Sequence, residues 1–310
     1  VAGLQVVEAR EVPLGGLRGM TVRRTLPGRE RAFIGAWCFA DHYGPTRVGA
    51  DGPGMDVAPH PHTGLQTVSW LFTGEIEHRD SAGNHAMVRP GEVNLMTSGH
   101  GIAHSEVSTP ETVVLHGVQL WVALPAEARD APRAFAHFAA EPVELPSYAG
   151  HARVFLGSLD GVGSSPVETH TPLVGAQLDL VSGASFRLSL DPTYEHGFLV
   201  DQGEIWVDEE RVGATELGFL ETGCREVTLQ AGAEGARMVL IGGAPFEEEL
   251  VMWWNFVGRS HEEIETFRAE WEAEGDRFGV VEGYTGVRQR IPAPALPGVR
   301  LRPRGRRGSR

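Results

Sequence analysis

The sequence predicts an all-β protein, two antiparallel β-barrels in tandem with a short C-terminal helix. Three observations predict it. Short runs of strand-forming residues, Leu65–Phe72 among them, recur between glycine turns through both halves of the chain. An alanine- and proline-containing stretch, residues 126–145, separates two segments of the same texture. Helical periodicity appears only once, after Ser260.

Residues 1–58 carry short apolar runs broken by glycine, such as Leu4-Gln5-Val6-Val7 and Ala32-Phe33-Ile34, then Ala36–Ala40. The stretch from Gly44 to Pro59 holds five Gly and Pro residues in its interior and reads as an irregular loop at a barrel mouth. Pro59 to Glu106 then organises the chain. It opens with His60-Pro61-His62 and closes with His104-Ser105-Glu106, and between them lie strands and the turns Thr73-Gly74, Ala82-Gly83-Asn84 and Pro90-Gly91. Proline inside a strand restricts the first pair to an edge or entry position. Another strand, His116–Leu124, ends at Pro125. Residues 126–145 read as a linker with a helical turn or two. The expected domains are a metal-binding barrel over 1–132 and a second, metal-free barrel over 133–287. A Pro/Arg-rich disordered tail is expected over 288–310. In the second barrel, Ser260 with Glu263 forms a capping box. Ile264, Phe267 and Trp271 follow at helical spacing, placing a helix near 261–274.

Composition narrows the function classes. The chain has 310 residues, 41% of them hydrophobic, and no apolar run approaches the ~20 residues of a membrane span. No secretory signal pattern opens the sequence. Its two cysteines, Cys38 and Cys224, read as buried thiols in a reducing cytoplasm. A formal charge of −14 argues against direct nucleic-acid binding. All 27 basic residues are arginine, which excludes lysine Schiff-base chemistry. Six arginines (Arg300, Arg302, Arg304, Arg306, Arg307 and Arg310) crowd the last eleven residues, where contact with nucleic acid, contact with an acidic partner and a plain disordered extension are all open readings.

The chemistry rests on the two pairs. On a strand, residues i and i+2 face the same way, so each pair can reach one point. Brought together, His60, His62, His104 and Glu106 offer three imidazoles and a carboxylate. That set suits a first-row divalent ion, Fe(II) above all, with other divalent transition metals possible. The alternative is a polar core network. The remaining histidines near the pairs compete. His100 would share a face with His104 only on a helix, which Gly99 and Gly101 oppose. His78 sits among Glu77, Arg79 and Asp80 and reads as an ion-paired turn. His42, His85 and His116 are candidates for orienting a ligand imidazole or for ordinary hydrogen bonding. Phe39, Tyr43 and Trp70 read either as walls of a flat pocket or as core.

These stretches resemble the pirin family of the cupin superfamily. The resemblance is carried by Ala40-Asp41-His42-Tyr43-Gly44, His60-Pro61-His62-Thr63-Gly64 and Gly74–Ser81. Arg89–Thr97, Gly101–Glu106 and Gly117–Val122 add to it, and over the second half it loosens to Ala244–Glu247 and Trp254–Val257. It implies two stacked cupin barrels with iron held in the first by His60, His62, His104 and Glu106. The chain has Gln66 where pirins commonly have glutamate, which weakens an ordinary cupin site but leaves a pirin site intact. His100 stands where arginine is frequent. In the second barrel, His196 has no second histidine two positions away. The resemblance implies a quercetin 2,3-dioxygenase acting on a small aromatic, flavonol-like substrate, with Glu106 shuttling a proton. As the second reading it admits an iron-dependent redox-sensing regulator that binds a protein partner, a transcription cofactor or enzyme modulator. A sugar isomerase or storage cupin fits the fold without further sequence support.

Overall fold

The structure is a computed structural model that describes residues 3–13, 20–48 and 54–306. The chain is mostly β, with strands β1 (Gln5–Val7), β2 (Arg10–Pro13), β3 (Thr21–Leu26), β4 (Trp37–Arg47), β5 (Asp56–His62), β6 (Leu65–Thr73), β7 (Ile76–Asp80), β8 (His85–Val88), β9 (Glu92–Thr97), β10 (Ile102–Ser108), β11 (Val114–Ala123) and β12 (Ala134–Ala139) in the first half. Eleven strands after β12 complete the second half among the described residues. One helix, α1 (His261–Glu272), stops two residues short of the expected Glu274.

The first barrel is built from two antiparallel sheets, ordered β12-β9-β6-β11-β4-β3-β2 and β5-β10-β7-β8. β5 is an edge strand, which is where Pro59 and Pro61 can sit without removing a ladder hydrogen bond. The central strands β6 and β4 are buried along nearly their whole length, as both faces are covered. The irregular loop expected over Gly44–Pro59 is shorter than anticipated, because β4 runs to Arg47 and β5 begins at Asp56. Residues 49–53 of that loop lie outside the described residues.

Three expectations change. The anticipated linker contains β12, which pairs residue for residue with β9, from Ala134↔Thr97 to Ala139↔Glu92. Alanine has weak strand preference, but the free edge of β9 supplies hydrogen bonds that no linker helix would have found. β1, in turn, leaves the first barrel and pairs with Leu217–Leu220 in the second barrel's sheet. Finally, residues 288–306 have almost no regular structure yet are docked rather than free. Ile291 N–H donates to Pro59 O, Trp271 Nε1 donates to Ile291 O, and Leu250 and Arg304 exchange backbone hydrogen bonds. Arg307 and Arg310 lie outside the described residues.

One core cluster spans both barrels. Trp37 donates through Nε1 to Gly242 O, and Phe33 meets Phe246 edge-on at 6.2 Å. Trp70 stacks on Phe155 at 4.6 Å and donates to Gln177 Oε1 at 2.7 Å. α1 begins with Ser260 Oγ accepting from Glu263 N–H, and its Ile264 and Trp271 pack into an aromatic cluster with Phe256 and Phe278. The Glu263 carboxylate takes the Arg259 N–H rather than that of Ser260, and pairs with Arg129 at 2.7 Å. Among the described residues no helix is long and apolar enough to cross a membrane.

Candidate metal centre

β5 and β10 are adjacent and antiparallel, with His60 opposite His104 and Ile102 opposite His62. The i, i+2 rule then puts three imidazoles on one face, with ring centroids 4.3–5.1 Å apart. The register shifts between His104 and Glu106, so that Glu106 pairs with Val57 and the residues Ala58 and Pro59 oppose Ser105 alone. This bulge accommodates Pro59, and the Ala58 carbonyl takes a hydrogen bond from the His60 ring at 2.9 Å.

Hydrogen bonds decide which nitrogen each ring presents. His60 Nδ1–H donates to Ala58 O, and His62 Nδ1–H donates to Asn255 O at 3.2 Å. Asn255 is held there by a hairpin whose first turn residue, Trp254, has φ 52, a left-handed conformation uncommon outside glycine. Phe256 and Val257, just beyond it, bridge to Thr63. On β7, His78 Nε2–H donates to Asp80 Oδ2 at 3.3 Å, leaving its Nδ1 to accept from His104 Nδ1–H at 3.4 Å. All three rings of the cluster thus turn an Nε2 lone pair inward. His62 Nε2 and His104 Nε2 lie 3.1 Å apart, the separation of two nitrogens held on one ion at about 2.1 Å.

Electrostatics agree with that use. Burial lowers the His60 pKa to about 4, and burial with the neighbouring imidazoles drives His62 and His104 well below their ordinary value. Neutral imidazoles are the form that binds metal. Burial pushes the Glu106 carboxyl up, partly opposed by His78 and by the Ser69 hydroxyl, which donates to Oε1 at 3.1 Å. Glu106 lines the same cavity as the three histidines, but its closest ligand-type neighbours are His104 and His78 rather than His60 and His62. The donor set fits a divalent ion: three neutral nitrogens with fixed tautomers, a carboxylate alongside, and open space beside them.

That space is a cavity of about 510 Å³. Phe39 and Trp121 stack at 4.0 Å to make a flat wall, and the Trp121 ring meets His62 edge-on at 5.2 Å. Tyr43 also lines it, but Trp70 does not, being spent at the junction of the barrels. Trp254, Arg288, Ile291 and Pro292 close it from the C-terminal segment.

The remaining histidines separate cleanly. His78, read from sequence as part of an ion-paired turn, is the residue that fixes His104. The signal was present as His-x-Asp at strand spacing, one face of β7 being Ile76, His78 and Asp80. Glu77 and Arg79 pair with each other on the opposite face. His85 is exposed and pairs with Glu77, and the His100 carbonyl accepts from Arg277. Gln66 donates to Thr97 Oγ1 and does not line the cavity.

His42 and His116 lie at the barrel junction instead, both 2.6 Å from Asp201 Oδ1 of the second barrel. Arg237 donates to Asp201 Oδ2 at 2.6 Å and reaches His116 Nδ1 at 3.4 Å, which makes that nitrogen an acceptor and His116 Nε2 the protonated one. Arg23 stands 3.5 Å from His42 Nε2. Two guanidinium groups therefore already supply the positive charge there. This trio is a buried ion-pair network rather than a second place for a dication.

Comparison with known proteins places these features. The family model described as Pirin matches residues 19–122, and that described as Pirin C-terminal cupin domain matches residues 175–279. A Pseudomonas aeruginosa protein named "Putative quercetin 2,3-dioxygenase" is 44% identical over 95% of this chain and 91% of its own. A pirin-like protein of Caulobacter vibrioides is 35% identical over 86% of this chain and 92% of its own. A crystal structure of quercetin 2,3-dioxygenase from Acinetobacter baumannii superposes with a TM-score of 0.89 at 38% identity, covering 97% of each chain.

Proposed function

This chain belongs to the pirin family, and from that premise we propose that it is a mononuclear metal-dependent dioxygenase of the quercetin 2,3-dioxygenase type, cleaving a flavonol-like substrate with O2. The observation that carries the reading is the convergence of three imidazole lone pairs on a cavity with a flat aromatic wall. His60, His62 and His104 hold the ion, with Glu106 as the carboxylate donor, and Fe(II) is the ion this set suits best. When bound, the ion supplies Lewis acidity to the flavonol's hydroxyl and carbonyl oxygens.

The chain does the rest. The Phe39–Trp121 wall holds the planar rings. Ser69 fixes one oxygen of Glu106, leaving the other to take the proton of the flavonol hydroxyl and return it to product. Trp254 and Ile291 keep water from the reacting ring. In balance, both atoms of O2 enter the substrate, the central ring opens, and one ring carbon with its oxygen departs as carbon monoxide.

The test is to load metal-free protein with Fe(II) under nitrogen, add quercetin and then oxygen, and follow flavonol absorbance together with carbon monoxide. Loss of flavonol with carbon monoxide, absent from His104→Ala, is the expected result. No turnover from fully loaded protein overturns the dioxygenase reading, and a redox-sensing role toward a protein partner then takes its place.

A further inference from the structure

The register of the seven-stranded sheet sets one polar residue from each of five neighbouring strands in a single row: Asn94 on β9, Ser69 on β6, Gln119 on β11, Asp41 on β4 and Arg24 on β3. Polar groups on a buried sheet face need partners. The ends of the row have theirs. His137 Nδ1 and Asn94 Oδ1 lie 2.7 Å apart, and Arg24 holds both oxygens of Asp41 at 2.6 and 2.7 Å. The middle pair, among the described residues, has only each other and the metal centre. Ser69 Oγ stands 3.1 Å from Glu106 Oε1 and 3.1 Å from the side-chain oxygen of Gln119.

Counting protons exposes a conflict there. A serine hydroxyl has one proton to donate, and Glu106 as a metal donor is a carboxylate that can only accept. Ser69 therefore faces two acceptors with a single proton. Gln119 can resolve this, because half a turn of its amide exchanges oxygen for nitrogen and leaves every other atom in place. The turn breaks no other bond, since the amide has no further hydrogen-bond partner among the described residues. Packing does not oppose it either: β11 is a central strand, yet Gln119 is only half-buried and lines the cavity. The chain then runs one way, with Gln119 Nε2–H donating to Ser69 Oγ and Ser69 O–H donating to Glu106 Oε1.

We propose that Gln119 is a positioning residue of the metal centre: its amide, with Nε2 on Ser69, commits the Ser69 hydroxyl to Glu106 and so fixes that carboxylate for the ion. The proposal rests on the assignment of Glu106 as the carboxylate donor above and deepens it. Glu106 has the most need of such support, since it groups with His104 and His78 rather than with His60 and His62. The sign of the effect separates this chain from its reverse. Were Ser69 to spend its proton on Gln119, deleting the amide would return that proton to Glu106 and tighten metal binding. In the direction proposed, deleting the amide unseats the hydroxyl and loosens metal binding.

Titration of metal-free protein with Co(II) tests this without turnover. Chelator competition gives the affinity, and the d–d absorption of the bound ion reports its ligand field. Ser69→Ala should bind about tenfold more weakly. Gln119→Leu should bind roughly threefold more weakly, since it removes only the anchor of the hydroxyl. Each should alter the d–d band while near-UV circular dichroism stays unchanged. In a Ser69→Ala background Gln119→Leu should add nothing, whereas in Ser69→Thr, which keeps the hydroxyl, it should act as it does in wild type. Three results overturn the role of Gln119 and leave the metal reading in place: affinity in Gln119→Leu equal to or tighter than wild type, a loss that multiplies with that of Ser69→Ala, or an unaltered Ser69→Ala. If wild type binds no Co(II), both are overturned.

Discussion

His104 Nε2 is available to a metal because a proton sits on His78 Nε2, where Asp80 holds it. Partners of this kind are worth about 10–100-fold in metal affinity. His78→Phe keeps the ring's packing against Phe135 and removes the acceptor, so it should weaken metal binding by that factor in a chelator competition, with near-UV circular dichroism intact. Unchanged affinity would show that His104 keeps its tautomer without help. At this scale the sequence was informative where function lies in side chains two apart on a strand. The meeting of His60, His62 and His104 on one face was legible that way, whereas Glu106 lines the same cavity but groups with His104 and His78. Asn255 was not, because it acts through its backbone carbonyl, and any residue in that hairpin position would offer one. His78 was half legible: its pairing with Asp80 was visible, but the consequence for His104 depends on β7 lying beside β10.

Single elements explain the next level. The helix was readable from Ser260 and the apolar spacing behind it, since a cap and a stripe are local signals. β12 was not, because its alanines take strand form only by pairing with β9. The segment after Val287 lost all periodicity in sequence, and its described residues 288–306 have almost none in structure, but isolated contacts fix them: Ile291 to Pro59, Arg268 to Pro294, and Leu301 N–H to His261. Because Pro59 adjoins His60, ending the chain after Val287 should do more than expose apolar surface. We expect a Tm lower by several degrees and metal release faster by roughly tenfold, measured by calorimetry and by chelator-trapping kinetics. A truncated protein that retains the metal as long as the full chain would show that the segment is only a cover.

Across the whole molecule, the two barrels are joined by groups whose ionisation differs from that of the unfolded chain. Burial pushes the Asp201 carboxyl up, but hydrogen bonds from His116 and His42 and the charge of Arg237 outweigh it and hold it below the ordinary carboxylate range. Its contribution is present above the unfolded value of about 4 and is lost as pH falls through the folded one. Burial lowers the His42 pKa against the pull of Asp201, so the unfolded chain takes up a proton first, below about pH 6.5. Both act in one direction. Stability should decline from neutrality toward pH 4 in denaturant titrations, and further below. Asp201→Asn should cost about 3 kcal/mol at pH 7 and flatten the decline below pH 4. An equal slope in the variant would place the acid-sensitive groups elsewhere. The tandem barrels themselves were legible from strand texture repeated on both sides of residues 126–145. Their shared core and the exchange of β1 were not, since long-range pairing leaves no local trace.

The C-terminal segment also sets an order of events during synthesis. Every donor assigned to the metal lies between residues 60 and 106, so a nascent chain exposes all of them early. The carbonyl that orients His62 belongs to residue 255, and the last wall of the cavity to residues 288–292. A ribosome-bound chain therefore owns a metal-binding sequence long before it owns a metal-binding pocket. Insertion of the ion into its finished setting belongs after translation of that final stretch.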